Sequence, residues 1–311
     1  MASSITGLLC LAVFALSQAA RDAFFGSLFQ SVSFLAVAIL AFAATVIVFA
    51  GWAGLRRPGD IRTLLADKRS FSALNVTNAA AWIAYFFALT HLEPAIVNTL
   101  FVGVGPLAVL VLMRLGNAMA PPVRLGRVER AAYAGVLASL VALVFVSILG
   151  RSGLGALDFA TNAIALLSVV VGGVLVTVSH MIARRFSDRG VGSDAVLGMR
   201  FLLAAVLAIA CELAFGQPSL RPAPDAIPWI AGAVFVLIVI PSYFLQLGIT
   251  RASPLAVNVM RSLGPVFVFA AQQLDGRLTF SGPTLACILV FAACTLLSSV
   301  ARGRAEIRAQ A

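Results

Sequence analysis

Ten stretches of this chain are apolar almost without interruption for the length that crosses a bilayer. They occupy 5–21, 29–54, 71–90, 94–114, 131–150, 159–184, 195–216, 226–249, 254–274 and 281–300. A helix rises about 1.5 Å per residue, so about 20 apolar residues cover the roughly 30 Å hydrocarbon layer. The runs are continuous rather than alternating, which argues against the strand pattern of a membrane barrel. In hydrocarbon the backbone must hydrogen-bond to itself, and within one such run only a helix does so. The run at 29–54 exceeds the minimum and predicts a tilted helix. The sequence therefore predicts an all-α integral membrane protein with ten transmembrane helices.

Composition excludes the main alternatives. Of 311 residues 61% are hydrophobic and 11% charged, whereas soluble domains carry about 25% charge. Too few charges remain to clothe a soluble enzyme or a nucleic-acid-binding domain. The net charge of +10 reads as basic residues at cytoplasmic helix ends. No run of five basic residues offers a grip on nucleic acid, so no nucleic-acid partner is expected. Cys10, Cys211, Cys287 and Cys294 all lie within apolar runs and form no C-x-x-C. Neither a disulfide framework nor a metal site is indicated. A Walker-type phosphate loop and H-E-x-x-H are both missing from the sequence, so no cofactor, ATPase subunit or metalloenzyme chemistry is expected.

Orientation follows from the arginines. With the N-terminus inside, sixteen basic residues fall in inner segments and four, Arg21, Arg151, Arg221 and Arg277, in outer loops; Arg200 and Arg261 lie within spans. That asymmetry predicts both termini in the cytoplasm and a multi-pass protein of the bacterial inner membrane. Ser17-Gln18-Ala19-Ala20 has the small residues of a signal-cleavage site, but residues 1–9 carry no basic charge, so the first span is expected to be retained. Asn75-Val76-Thr77 fits a glycosylation sequon but falls at an inner helix end in this topology.

The chain also repeats itself. Thr90-His91-Leu92-Glu93-Pro94 aligns with Thr250-Arg251-Ala252-Ser253-Pro254, Val97-Asn98 with Val257-Asn258, and, after a one-residue gap, Gly105-Pro106 with Gly264-Pro265. The halves are 1–150 and 157–303, five spans each, followed by a cytoplasmic tail at 304–311. Five is odd, so the second copy enters the membrane from the opposite side. The expected architecture is two inverted five-helix repeats, which supply two conformations of similar energy for alternating access.

Paired hairpins of this kind, Pro94-Ala95 through Gly105-Pro106 and Ser253-Pro254 through Gly264-Pro265, in a five-plus-five array of spans, resemble the drug/metabolite transporter superfamily, in its EamA-type branch. The resemblance extends over essentially the whole chain. It implies a secondary transporter of small metabolites with a central cavity between the halves, and it implies no particular substrate. The second Pro-to-Pro interval is one residue shorter than the first, which departs from strict symmetry.

Polar residues inside the spans mark the candidate site. Asn75, Asn78, Trp82 and Tyr85 share one helix face. Asn98 shares a face with Phe101 and Gly105, Tyr243 and Gln246 follow Pro241, and Asn258, Arg261 and Pro265 form a stripe with Gln272 beyond. His180 and its repeat counterpart Gln18 form a candidate proton or polar relay. Pro106, Pro241 and Pro265 are candidate kink points. The competing structural reading is that these groups tie helices together by hydrogen bonds worth about 0.6 kcal/mol each. Arg261 resists that reading, since a mid-span arginine costs about 2.5–3.5 kcal/mol. Asp22 reads as a rim residue and Glu212 as an outer-end one, so no mid-membrane acid is expected. That favours facilitated diffusion or exchange over proton coupling. The expected substrate-binding set is Trp82, Tyr85, Asn98, Tyr243, Gln246, Asn258 and Arg261, in a monomer that moves an anionic or zwitterionic metabolite such as an amino acid or organic acid. The alternatives are an exporter of hydrophobic or cationic drugs, with Arg261 bonded to free carbonyls near Pro106 or Pro265, a channel, and an intramembrane enzyme.

Overall fold

The computed structural model of the protein describes residues 2–116, 125–252 and 254–310; the side chains of 2–5, 246, 249–250, 254–256, 258 and 305–310 lie outside the described ones. Every regular element among them is helical. The order is α1 (Ala2–Leu28), α2 (Phe34–Thr45), a π-helical turn (Val46–Ala50), α3 (Gly51–Arg56), α4 (Pro58–Ala66), α5 (Lys68–His91), α6 (Pro94–Arg114), α7 (Arg127–Ile148), α8 (Phe159–Asp188), α9 (Ser193–Met199), α10 (Leu202–Phe215), a 3₁₀ turn (Pro218–Leu220), α11 (Ala226–Val234), a second π-helical turn (Phe235–Val239), α12 (Ile240–Arg251), α13 (Pro254–Gln272) and α14 (Gly282–Gln310). Among the described residues nine helical segments are long and apolar enough to cross a membrane. α13, 19 residues long, occupies the remaining apolar run.

Helix ends follow local chemistry. The Ser33 hydroxyl accepts from the Ala36 N–H to start α2, Asp67 accepts from the Ser70 N–H to start α5, and Asp158 accepts from the Thr161 N–H to start α8. Pro94 opens α6, a position where a missing N–H costs nothing. α5 and α6 are joined by only Leu92 and Glu93. The extended backbone of Leu92 (φ −112°, ψ 161°) is matched by Ala252 (φ −101°, ψ 156°) after α12; Ser253, the next residue of that turn, lies outside the described residues.

The helices pack in a reciprocal pattern. α5 lies along α8, and α1 along α12; α6 meets α8, and α1 meets α13. α7 pairs with α14, α6 with α13 and α2 with α10. A chain of aromatic rings fills the centre: Phe29 meets Phe86, Phe86 stacks on Phe42, and Phe42 stacks on Phe201. Such ring pairs add about 0.5–1.5 kcal/mol each beyond their buried area.

The run at 195–216 is two helices, not one. It breaks at Arg200–Phe201, with neither proline nor glycine at the break itself. Two asparagines of α5 restore the freed backbone bonds. Asn78 Nδ2 donates to the Arg200 carbonyl (3.1 Å), and the Leu203 N–H donates to Asn75 Oδ1 (3.1 Å). Gly198, just before the break, abuts the π turn so closely that a Cβ there would collide with the Ala50 backbone.

The bundle has two unlike ends. At one, Arg189 pairs with Asp67 (2.8 Å) and Asp60 accepts from the Gly192 N–H (2.9 Å), which gathers the basic stretches around 57–69 and 184–192. The Arg189 guanidinium holds the Asp67 carboxyl below the usual carboxylate range. At the other end Glu93 is buried in a knot described below.

The structure corrects the reading of the first span. The first helix does not stop at Arg21; it continues to Leu28 with Arg21 and Asp22 inside it, both buried. Arg21 therefore leaves the outer-loop tally, and Asp22 is not a rim residue. The pair remains in the helix because the two charges neutralise each other. Between the second and third apolar runs, residues 58–66 form the short helix α4. α14 runs on as far as Gln310.

Candidate functional site

Three helices converge on the adjacent charges of α1. Asp22 has no exposed surface. Its Oδ1 accepts from Arg21 Nε (2.8 Å) and Nη2 (2.7 Å), and its Oδ2 accepts from Asn98 Nδ2 on α6 (2.7 Å). The Arg21 guanidinium lies 5.4 Å from the ring centre of Trp82 and 5.6 Å from that of Tyr85, both on α5. Its Nη2 also reaches the Tyr85 hydroxyl at 3.5 Å. Phe101, one turn beyond Asn98, closes on Tyr85 with ring centres 4.5 Å apart. A buried pair of this kind persists only when further hydrogen bonds satisfy both partners, and Asn98 and Tyr85 supply them.

Trp82 and Arg200 both lie against Phe201. The Trp82 ring meets Phe201 at 6.0 Å, and the Arg200 guanidinium lies over the same Phe201 ring at 5.2 Å. Arg200 Nε is buried without a partner, as are Trp82 Nε1 and Asn98 Oδ1. The Asn98 oxygen lies 3.8 Å from where a Cβ on Gly264 would stand, so it faces α13. Arg261, three residues before Gly264, is on that same helix face. His180 lies on α8. His180 and Arg261 are exposed although each sits inside a helix. Among the described residues neither Arg200 nor Arg261 forms an ion pair. A charge within a spanning helix costs about 2.5–3.5 kcal/mol when it has no partner. This region therefore presents hydrogen-bond donors and positive charge, bounded by aromatic rings.

A third cluster closes the far end of the bundle. Glu93, in the turn between α5 and α6, is 1% exposed. It accepts from the Gly153 N–H (2.8 Å), from Gln272 Nε2 at the end of α13 and from the Thr284 hydroxyl in α14 (3.1 Å). Gln272 Oε1 accepts in turn from the Ala95 N–H (2.9 Å). Burial, the largest influence, holds the Glu93 carboxyl above its usual range in spite of these donors.

The structure thus brings Trp82, Tyr85 and Asn98 together, with Tyr85 locked in the interior rather than lining open space. Arg261 lies on the α13 face towards which the Asn98 oxygen points. Gln18 lies one turn before Asp22 on α1, half-buried. Tyr243 is 56% exposed and meets Phe244 edge-on; no ring contact or hydrogen bond joins it to Trp82, Tyr85 or Asn98. The side chains of Gln246 and Asn258, and the inner-loop Arg124, lie outside the described residues. Helices α6 and α13 run through Pro106 and Pro265 without interruption, whereas Pro241 is the second residue of α12, just after the second π turn. Among the described residues no cluster of three or more His, Cys, Asp or Glu could hold a metal. Sequence reasoning missed Arg21 and Asp22 as members of the interior, and it placed Arg200 within a span without assigning it to the site. The one available signal for the first two was their adjacency: opposite charges side by side, with apolar sequence resuming at Ala23-Phe24-Phe25.

No family model matches the chain, and no curated protein matches it. Among solved structures it is similar to one described as "Crystal structure of protein". The alignment covers 98% of this chain and 99% of that chain, with a TM-score of 0.65 at 20% identity. At that identity the likeness shows the fold alone, and it extends over the full length of both chains.

Proposed function

We propose that this chain is a secondary transporter of a small anionic or zwitterionic metabolite, working by alternating access in a bacterial inner membrane. The observation that carries the reading is the set of buried, unpartnered donors at Trp82 Nε1 and Arg200 Nε, on helices of the two halves, together with the unpaired guanidinium of Arg261 within α13. A purely structural interior would pair such groups, since each unpaired one costs free energy. The same group weighs against a carrier of cations. The structural alternative for Arg261 loses ground too, because among the described residues no hydrogen bond joins it to a carbonyl near Pro106 or Pro265.

The inverted repeat is supported by the packing. Exchanging each span of one half for its counterpart turns the α5–α8 contact into α12–α1 and the α6–α8 contact into α13–α1, and leaves α7–α14, α6–α13 and α2–α10 unchanged. Two related bundles meeting this way are suited to rocking about a central site. The ten-span topology with both termini inside draws support from the basic residues, because Arg189 with Asp67 and Arg302 with Glu129 draw several basic stretches together. Moving Arg21 into a span leaves three basic residues in outer loops against sixteen inside.

The interior does hold a carboxylate, Asp22, so the reason for preferring uncoupled transport falls. Asp22 and its partners Arg21 and Asn98 are candidates for coupling solute to an ion.

Reconstituted protein loaded with candidate organic and amino acids tests the reading. Saturable flux, accelerated by solute on the far side, is the expected result. Flux that rises without saturation would mean a channel, and chemical conversion of the solute would mean an enzyme.

A further inference from the structure

We infer that an anionic phospholipid of the inner leaflet docks on the outside of the bundle, with its headgroup on Lys68 and Arg69 and one acyl chain in the groove between α5 and α10. The site rests on the membrane-spanning helices. Only the choice of leaflet rests on the orientation proposed above.

The groove has a volume of about 310 Å³. α5 lines it with Phe71, Ser72 and Val76, and α10 with Leu202 and Val206. Val76, Leu202 and Val206 are exposed, so the hollow opens on the outer surface of the bundle. An unfilled hollow forfeits dispersion contacts, and lipid tails are as apolar as leucine. An acyl chain from the surrounding layer is the occupant that these walls suit.

Charge lies at one end of the same face. Lys68, Arg69, Ser72 and Val76 are all exposed and occupy one side of α5. Along about two helical turns the order is cation, hydroxyl, hydrocarbon. A phospholipid presents phosphate, ester and chain in that order. Neither Lys68 nor Arg69 forms an ion pair among the described residues. The two acids of this stretch are engaged elsewhere: Asp67 pairs with Arg189 (2.8 Å), and Asp60 accepts from the Gly192 N–H (2.9 Å). Trp52 in α3 is exposed beneath the Arg56 guanidinium, 4.6 Å from its ring centre. α4 packs against both α3 and α5, so this tryptophan stands near the start of α5. Exposed tryptophan of this kind marks the headgroup level.

The groove also adjoins the α9–α10 break. Asn75 and Leu203, whose 3.1 Å bond spans that break, both line it. A chain seated there covers the bond and braces α5 against α10. Bound lipid therefore holds the break in the arrangement seen here.

The test is lipid binding by purified full-length protein in neutral detergent, read by thermal shift and by hydrogen exchange at Leu203. Phosphatidylglycerol is compared with phosphatidylcholine of the same chains, and with inorganic phosphate and glycerol 3-phosphate, which carry charge without a chain. Phosphatidylglycerol should bind about tenfold or more tightly than phosphatidylcholine, as expected for two basic side chains near a membrane surface. It should slow exchange at Leu203, and the chainless anions should do neither at the same concentrations. Lys68→Gln with Arg69→Gln should bring the lipid preference to near unity. Val76→Trp, which fills the groove, should abolish the response at Leu203. All three positions are exposed, so their replacement leaves the packed interior untouched. Equal binding of the two lipids overturns the inference, as does a preference that survives the double variant or a Leu203 response that survives Val76→Trp. A full shift with the chainless anions overturns it too, since the occupant would then be a free ion. Saturable flux is measured independently of these outcomes, so the transport reading stands or falls separately.

Discussion

The Asn98 amide donates to Asp22 Oδ2 at 2.7 Å, a bond between α6 and α1 that crosses 76 residues of sequence. It completes the coordination of a carboxylate whose other oxygen is taken by its own neighbour, Arg21. Two charges adjacent in the chain thereby become a neutral, fully bonded unit inside an apolar bundle. Removing either member exposes the other.

Asp22→Asn should therefore be severely destabilising, by about 3–5 kcal/mol, because the Arg21 guanidinium loses its counter-ion without leaving the interior. The double change Arg21→Met with Asp22→Leu should cost much less. Unfolding in detergent checks both. A single variant as stable as the wild type would mean that the pair is not formed.

Asn75→Ala should leave the Leu203 N–H unpaired, and Asn78→Ala should leave the Arg200 carbonyl unpaired. Each should cost about 1–3 kcal/mol, the penalty for a buried polar group without a partner. Hydrogen exchange at residues 200–203 should accelerate in both variants before the rest of α10 is affected.

Gly198→Ala forces a methyl group into the Ala50 backbone, which has no side-chain freedom with which to yield. Overpacking of this kind costs about 1–3 kcal/mol. Gly232→Ala, where nothing lies within 4 Å of the added carbon, should be neutral or slightly stabilising in its helix. The melting temperatures of the two variants should move apart accordingly.

Glu93 gives a pH dependence with a definite sign. Its carboxyl is held above the ordinary value of 4.5, chiefly by burial. The folded protein then keeps the proton at pH values where the unfolded chain has released it. Stability from this group is fully present below the unfolded value and declines as pH rises through the folded one. Glu93→Gln should flatten that slope in thermal unfolding recorded from about pH 4 upward. It should also lower stability at neutral pH, because an amide cannot serve all three donors.

The helices were legible because hydrocarbon imposes one rule on every run, and the turn at Leu92–Glu93 was legible from Pro94. The site was legible where polarity stood out against an apolar background, as at Trp82, Tyr85 and Asn98. It was hidden where charges cancelled. Arg21-Asp22 looks like the end of a span, since a neutralised pair is visible only once Asn98 and Tyr85 are placed around it. The break at Arg200 was hidden for another reason: no proline or glycine marks it, and an asparagine on α5 does not announce which backbone it will complete. The same holds for Glu93, whose partners come from residues 153, 272 and 284.

The interrupted seventh span has a mechanical consequence. A continuous helix carries its load through a ladder of identical bonds, and bending it strips several rungs at once. Here the joint at Arg200–Phe201 is already open, and its two loose ends are held by side chains of a neighbouring helix. Side chains can swing with their partners, so α9 and α10 can change angle while the connections to Asn75 and Asn78 stretch and re-form. Any change of angle between α9 and α10 would thus be resisted by two amides, and it would carry Arg200 with it.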